Sequence, residues 1–175
     1  MNQENHIIYI IGFMGSGKTT AGKKLATLLN WSFVDLDKEI EEHSGKSIAD
    51  IFSQNGEAYF REVESQVLRN LKSNTNMVIS TGGGTPCYSD NMDFMLSTGL
   101  TIYLKLTTGQ LKSRLANSKH IRPLIKDLDQ DGLQIFIEEK LAYREKWYSL
   151  SDITFEGIDI DINKVLSFVK SNLNI

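Results

Sequence analysis

The sequence Gly12-Phe13-Met14-Gly15-Ser16-Gly17-Lys18-Thr19 has the form G-x-x-x-x-G-K-[ST] and is the strongest indication of the fold of this chain. An apolar run, Ile7–Ile11, leads into it, and apolar residues recur at helical spacing over 21–29. A buried parallel strand that leads in and a helix that leads out are the setting in which such a loop surrounds phosphate groups with backbone N–H donors. We therefore predict a phosphate-binding loop.

The residue types in this loop predict a nucleoside triphosphate with Mg²⁺ as its ligand. Lys18 would reach the β- and γ-phosphates, and the Thr19 hydroxyl would bind Mg²⁺. The predicted nucleotide-binding residues of this stretch are Gly15, Ser16, Gly17, Lys18, Thr19 and Thr20. A glycine-rich turn with a chance lysine is the structural alternative, and the flanking strand and helix disfavour it. The motif alone does not separate a kinase from an ATPase or a GTPase switch.

The rest of the chain alternates between strand and helix patterns. Short apolar runs predict strands over 7–11, 31–35, 77–80, 100–106 and 153–155, and amphipathic helices lie between and after them. This alternation predicts an α/β fold with a parallel sheet covered on both faces, whose ligands bind at the carboxyl ends of the strands. Residues 116–131 are polar and fit no period, so we predict a mobile lid there.

Composition narrows the class of protein. The 175 residues favour one domain, and a net charge of −3 with a pI near 5.6 gives no electrostatic basis for binding nucleic acid or an anionic membrane. Cys87 is the one cysteine, so an internal disulfide is excluded. We read no signal peptide and no apolar run long enough to span a bilayer, and we expect a cytoplasmic protein.

Two carboxylates at the end of the second predicted strand point to an acceptor site. Asp35 and Asp37 are two residues apart, a spacing that places both on one face of a strand. Asp35 would hold Mg²⁺ through water, and Asp37 would bind an acceptor hydroxyl and take its proton. The alternative for Asp37 is that it caps the following helix.

Two arginines and a run of glycines extend this site. Arg61 lies three residues from Glu64 on a predicted helix, where a surface ion pair is the default interpretation. Arg144 follows an apolar helix stripe, so it would face the core or cleft and bind an anion. Gly82, Gly83 and Gly84 would let a ligand approach the backbone closely, although a flexible turn is the alternative.

The polar segment 116–131 contains a further candidate, Arg122. It could swing over the γ-phosphate and neutralise developing charge, as an arginine supplied in cis does. Closure of this segment would also keep water from competing as the acceptor.

Taken together, these pieces resemble the shikimate kinase family over nearly the whole chain. They match in order and spacing, and the matching pieces are Gly12 to Thr19, Asp35-Leu36-Asp37, residues 45–52, residues 56–64, Thr81-Gly82-Gly83-Gly84, Arg122-Pro123-Leu124, and Arg144 with Tyr148.

The resemblance implies the P-loop kinase fold of the nucleoside-monophosphate-kinase type, with a five-stranded parallel sheet flanked by helices and a mobile lid. It implies a monomer that transfers phosphate from ATP to the 3-hydroxyl of shikimate, a step toward chorismate and the aromatic amino acids. It also implies roles for residues: Asp37, Arg61, Gly83 and Arg144 hold shikimate, Arg122 contacts ATP from the lid, Arg114 lies against adenine, and Phe52 and Phe60 line the acceptor pocket.

The chain departs from the family pattern in three places. Thr85-Pro86-Cys87 follows the glycines where a small or apolar stretch is commoner, and Glu145-Lys146-Trp147 follows Arg144 where many members carry a proline. Residues 156–161 lack the familiar polar-basic pattern, so no adenine contact is assigned there.

Two other functions remain to be distinguished. A kinase of another small sugar acid, such as gluconate, would share the phosphate loop but has no evident need for the Asp37, Arg61 and Arg144 matches. A GTP-dependent switch is favoured only by Asp129-Gln130-Asp131-Gly132, which has the form D-x-x-G but follows no predicted strand.

Overall fold

The computed structural model describes residues 5–71, 75–118 and 125–175. In chain order the elements are β1 (Ile7–Ile11), α1 (Lys18–Leu29), β2 (Ser32–Asp35), α2 (Leu36–Ser44), α3 (Ile48–Asn70), β3 (Met77–Ser80), a 3-10 turn (Thr85–Cys87), α4 (Asn91–Thr98), β4 (Leu100–Lys105), α5 (Thr108–Ala116), α6 (Gln130–Tyr148), β5 (Ile153–Glu156) and α7 (Ile162–Leu173).

The strands form one parallel sheet in the order β2-β3-β1-β4-β5, which confirms the predicted α/β class. The chain leaves β1 in the centre, then visits β2 and β3 on one side and β4 and β5 on the other. The loops after β1 and β3 therefore emerge side by side at the carboxyl edge, where the direction of winding reverses. Ligands bind at such a switch point in open α/β sheets.

Successive side chains of β1 point to opposite faces of the sheet and pack in the hydrophobic core on each face. Ile8 and Ile10 pack in a buried cluster with α1 and α7. Tyr9 and Ile11 pack in a second cluster on the opposite face, with α2, α3 and α4. Burial on both faces explains why this strand reads as a continuous apolar run. In the part of the chain that the structure describes, no helix is long and apolar enough to cross a bilayer.

A third cluster fixes the phosphate-binding loop to the helices that follow β4. Phe13, from the loop, is 1% exposed and shares this cluster with residues of α5 and α6, among them Leu111 and Ile137. The loop is thus anchored to α5 and α6.

Helix ends follow the local sequence signals. Asn30 and Gly45 end α1 and α2 in the left-handed conformation, with φ of 56° and 64°. The Ser47 hydroxyl accepts from the Asp50 N–H and begins α3. Asp129 caps α6 by accepting from the Gly132 N–H at 2.7 Å, so the D-x-x-G sequence is the start of a helix.

Three features differ from the sequence prediction. The Asn55-Gly56 pair, a dipeptide typical of turns, lies at a kink inside α3, where Gly56 has φ 82° and ψ 172°. The 3-10 turn at Thr85–Cys87 was not predicted. The segment 116–131, predicted to fit no period, has helical residues at both ends, since Ala116 belongs to α5, and Gln130 and Asp131 belong to α6.

Gly99 lies in crowded surroundings and Gly109 in open ones, so substitutions at these two glycines test the packing. A β-carbon on Gly99 would lie 2.4 Å from the Ile7 carbonyl oxygen, whereas one on Gly109, in α5, would meet no atom within 4 Å. Gly99→Ala should lower the free energy of unfolding by about 1–3 kcal/mol, because backbone atoms must move. Gly109→Ala should raise it by about 0.5–1 kcal/mol. Urea denaturation measures both, and equal effects of the two variants would contradict this account of the packing.

Candidate active site

The phosphate-binding loop carries a buried cation at the mouth of a cleft. The Lys18 side chain is 9% exposed, and its Nζ donates to the Phe13 carbonyl at 2.9 Å. Gly17 precedes α1 with φ 94°, a left-handed conformation that favours glycine. Lys18 and the loop line a cleft of about 550 Å³, together with residues from the ends of β2 and β3. The geometry suits an anion held by the helix N-terminus and one ammonium group.

Three oxygen-bearing side chains meet beside this loop. The Thr19 hydroxyl donates to Asp35 Oδ2 at 3.2 Å and lies 3.4 Å from Ser80 Oγ. Neutral hydroxyls and one carboxylate are hard ligands of the kind Mg²⁺ takes when substrate phosphates complete its shell. Within the described ranges, no group of three or more His, Cys, Asp or Glu residues is placed to hold a metal ion. Ser80 was missed, although a hydroxyl at the end of a strand beside β1 is a usable signal.

Arg114 closes the other side of the loop. Its Nη1 lies 3.4 Å from both the Gly15 and Ser16 carbonyl oxygens, and its Nη2 donates to the Ile158 carbonyl at 2.8 Å. A second cavity of about 570 Å³ opens beside it, lined by Ser16, Gly17, Thr20, Ala21, Lys24, Leu104, Arg114 and residues 158–162. The segment after β5, to which no contact was assigned, therefore forms one wall of this cavity.

The three glycines after β3 each face a different part of the site. A β-carbon on Gly82 would lie 3.0 Å from Asp37 Oδ1, one on Gly83 would lie 3.1 Å from Arg144 Nη1, and one on Gly84 would lie 2.7 Å from Arg61 Nη2. The structure thus brings together the side chains predicted to bind the acceptor. The alternative of a merely flexible turn does not account for these close approaches.

Arg61 is held in place on several sides. Its Nη1 donates to Glu64 Oε2 at 2.8 Å, and its Nε and Nη2 lie 3.3 and 3.1 Å from Glu57 Oε1. The guanidinium carbon sits 3.9 Å from the ring centroid of Tyr88. The expected ion pair between Arg61 and Glu64 is present, but its placement on the surface is wrong, because the Glu64 side chain is 1% exposed and that of Arg61 14%. Tyr88 was missed, since it lies far from Arg61 in the sequence.

Arg144 reaches the cleft from α6. It is 9% exposed, and its guanidinium carbon lies 5.3 Å from the ring centroid of Phe13. One turn later, the Tyr148 hydroxyl donates to the Gly83 carbonyl oxygen. The ring of Tyr148 packs against Tyr103 of β4, with centroids 4.9 Å apart. These contacts dock the end of α6 directly on the glycine turn.

Asp37 lies in the first turn of α2 and faces the open cleft. The N-cap residue of α2 is Asp35, so the interpretation of Asp37 as a helix cap is wrong. Loss of hydration raises the pKa of Asp37 from 3.8 to about 6; Lys18 opposes this rise, and the charges of Asp35 and Glu64 add to it.

Four residues named in the sequence analysis remain: Phe52, Phe60, Arg122 and Cys87. Phe52 and Phe60 pack together with ring centroids 4.6 Å apart, and Arg61 lies over Phe60 at 5.0 Å. Arg122 lies outside the described residues. Burial raises the pKa of Cys87 to about 11, so its thiol stays neutral near pH 7.

Known proteins match this chain over most of its length. The family model for shikimate kinase matches residues 14–170. A shikimate kinase of Parabacteroides distasonis is 44% identical over 150 residues, which cover 86% of this chain and 87% of that protein.

Solved structures agree with the sequence match. The crystal structure of shikimate kinase from Bacteroides thetaiotaomicron superposes with a TM-score of 0.88 at 37% identity, covering 97% of this chain and 99% of that one. Shikimate kinase from Acinetobacter baumannii, solved in complex with shikimate, superposes with a TM-score of 0.85 at 32% identity, covering 97% and 96%.

The raised pKa of Asp37 predicts a pH-dependent stability. The protonated carboxyl favours the folded state below the unfolded pKa near 3.8, and this contribution is lost as the pH rises through about 6. In the ligand-free protein, Asp37→Asn should therefore raise the free energy of unfolding by about 1 kcal/mol at pH 8, a value reduced for solvent screening on the open side. At pH 4 it should change the stability little.

Urea denaturation at pH 4, 6 and 8 measures this difference. Asp93→Asn, at an exposed position of α4, is the control. A difference between wild type and Asp37→Asn that does not vary with pH would contradict the assignment.

Proposed function

The chain belongs to the shikimate kinase family, and on that premise we propose how its residues carry out the reaction. The enzyme uses ATP to phosphorylate shikimate, giving shikimate 3-phosphate and ADP on the route to chorismate and the aromatic amino acids. The observation that carries the assignment of residues is the convergence of Asp37, Arg61 and Arg144 on the glycine turn beside the phosphate-binding loop.

The phosphate-binding loop would hold the triphosphate and stabilise its charge. Lys18 exchanges its bond to the Phe13 carbonyl for the β- and γ-phosphate oxygens. Thr19 and Asp35 would hold Mg²⁺, Asp35 through water, and Ser80 lies close enough to support that shell. When bound, the ion would supply charge neutralisation at the β- and γ-phosphate oxygens.

The acceptor site matches the functional groups of shikimate. A guanidinium can bind a carboxylate through two parallel hydrogen bonds, and Arg61 and Arg144 both reach the glycine turn. Asp37 would accept the hydrogen bond of the 3-hydroxyl. The absence of β-carbons at Gly82 to Gly84 lets these three side chains lie directly against the turn.

Asp37 is suited to receive the proton. As the acceptor oxygen forms its bond to the γ-phosphorus, the bond to the β,γ-bridging oxygen breaks, ADP leaves and the hydroxyl proton passes to Asp37. A pKa of about 6 leaves this carboxyl ionised at neutral pH but more basic than an ordinary aspartate. Because the transition state is loose, most of the rate would come from positioning.

The nucleotide base belongs in the second cavity. Arg114 spans from the loop carbonyls to Ile158 and would lie against adenine, with residues 158–162 as the opposite wall. Arg122, from the proposed lid, would contact the phosphates. We propose that the enzyme is a cytoplasmic monomer, and its 175 residues favour one domain.

The acceptor is tested by ADP release from ATP and Mg²⁺ with shikimate, gluconate or nucleoside monophosphates. We expect strong stimulation by shikimate alone, because Arg61 and Arg144 match its carboxylate and Asp37 its hydroxyl. Turnover with gluconate instead would retain the phosphate-transfer machinery and overturn the assignment of these three residues. Binding of GTP with no binding of ATP would overturn the kinase assignment itself.

Arg61→Lys should raise the KM for shikimate about ten-fold or more, as expected for a lost hydrogen bond to a charged group, and leave the KM for ATP nearly unchanged. A lysine keeps the charge but loses the bidentate geometry. The methyl ester of shikimate lacks the carboxylate charge. The KM values of wild type and Arg61→Lys should therefore differ less for the ester than for shikimate.

Arg114→Lys is the matched control on the nucleotide side and should raise the KM for ATP instead. Equal effects of Arg61→Lys on both KM values would contradict the proposed role of Arg61.

A further inference from the structure

Thr85 is a buried polar residue for which the mechanism above has no use. It opens the segment that departs from the family pattern and is 0% exposed. Its hydroxyl donates to Glu64 Oε1 at 2.6 Å, a short bond to a carboxylate that is itself 1% exposed.

The bond completes the surroundings of a buried charge. Glu64 Oε2 accepts from Arg61 Nη1 at 2.8 Å, and Oε1 accepts from Thr85. A buried carboxylate whose oxygen loses its donor is strongly destabilised or turns toward another partner. With a donor on each oxygen, the carboxylate of Glu64 is fixed in one orientation, and so is the edge of Arg61 that binds it.

Thr85 is itself held by a closed ring of hydrogen bonds. Its carbonyl oxygen accepts from Asn91 Nδ2 at 3.0 Å, and Asn91 Oδ1 accepts from the Ser65 hydroxyl at 2.9 Å. Ser65 follows Glu64 in α3, so the backbone between these two residues closes the ring. The Thr85 N–H also donates to the Gly82 carbonyl at 3.2 Å, which ties the ring to the glycine turn.

This ring lies directly beside the acceptor. A β-carbon on Gly82 would lie 2.9 Å from Thr85 Oγ1, 3.2 Å from Glu64 Oε1 and 3.0 Å from Asp37 Oδ1. We propose that Thr85 is a positioning residue for the acceptor: its hydroxyl fixes Glu64, and Glu64 presents Arg61 already oriented for the carboxylate. This inference rests on the proposed function, because it takes shikimate as the ligand of Arg61.

Thr85→Val tests the proposal because valine has nearly the shape of threonine without the hydroxyl. We expect the KM for shikimate to rise about ten-fold, as befits a lost hydrogen bond to a charged group, and the KM for ATP to stay within about two-fold. Thr85→Ser restores the hydroxyl and should return the KM for shikimate to within about two-fold of wild type.

Thr101→Val is the matched control for loss of a buried hydroxyl. Thr101 is also 0% exposed and donates to a carboxylate, Asp152 Oδ2 at 2.8 Å, but it lies near the amino end of β4, away from the cleft. This variant should lower the melting temperature and leave both KM values unchanged.

Two results would overturn the proposal for Thr85: an unchanged KM for shikimate in Thr85→Val, or an equal rise of both KM values with a lowered melting temperature. A wild-type enzyme that does not use shikimate would overturn the proposed function and this inference together.

Discussion

The site depends on a turn with no room for a β-carbon. At Gly82, Gly83 and Gly84 the places that side chains would occupy are filled by Asp37, Arg144 and Arg61, which come from three different helices. The turn follows the strand next to β1, so these side chains are brought up to the phosphate-binding loop. A methyl group at these positions would push apart the three side chains that we propose to bind the acceptor.

The cations that we propose to bind the two anionic substrates are each held in place by other groups of this acidic protein. Lys18 rests on a backbone carbonyl, Arg61 on two carboxylates and an aromatic ring, Arg114 on three carbonyls, and Arg144 on the face of Phe13. Groups held in this way need little reorganisation as charge develops on the transferred phosphate. The net charge of −3 describes the whole chain and conceals this local concentration.

Much of the fold could be predicted from the sequence, because the motif and the apolar runs that indicate it are local patterns. The G-x-x-x-x-G-K-[ST] stretch and the apolar runs placed all five strands and the phosphate-binding loop. Burial of Glu64 did not follow, since helical spacing shows that it neighbours Arg61 but not which side of the helix is covered. The contact of Tyr88 with Arg61 joins segments distant in the chain, which no local pattern records, whereas Ser80 could have been found from its place at the end of a strand.

The kink at Gly56 shows that glycines in this enzyme are required for two unlike reasons. Gly84 has φ −90° and ψ −15°, a conformation open to any L-amino acid, so the requirement there is one of volume. Gly56 has φ 82° and ψ 172° with no atom within 4 Å of an added β-carbon, so the requirement there is one of handedness. A residue of D-configuration would satisfy the backbone of α3 at Gly56. The helix that carries Arg61 is therefore bent at a position where the backbone conformation excludes an L side chain, although there is space for one.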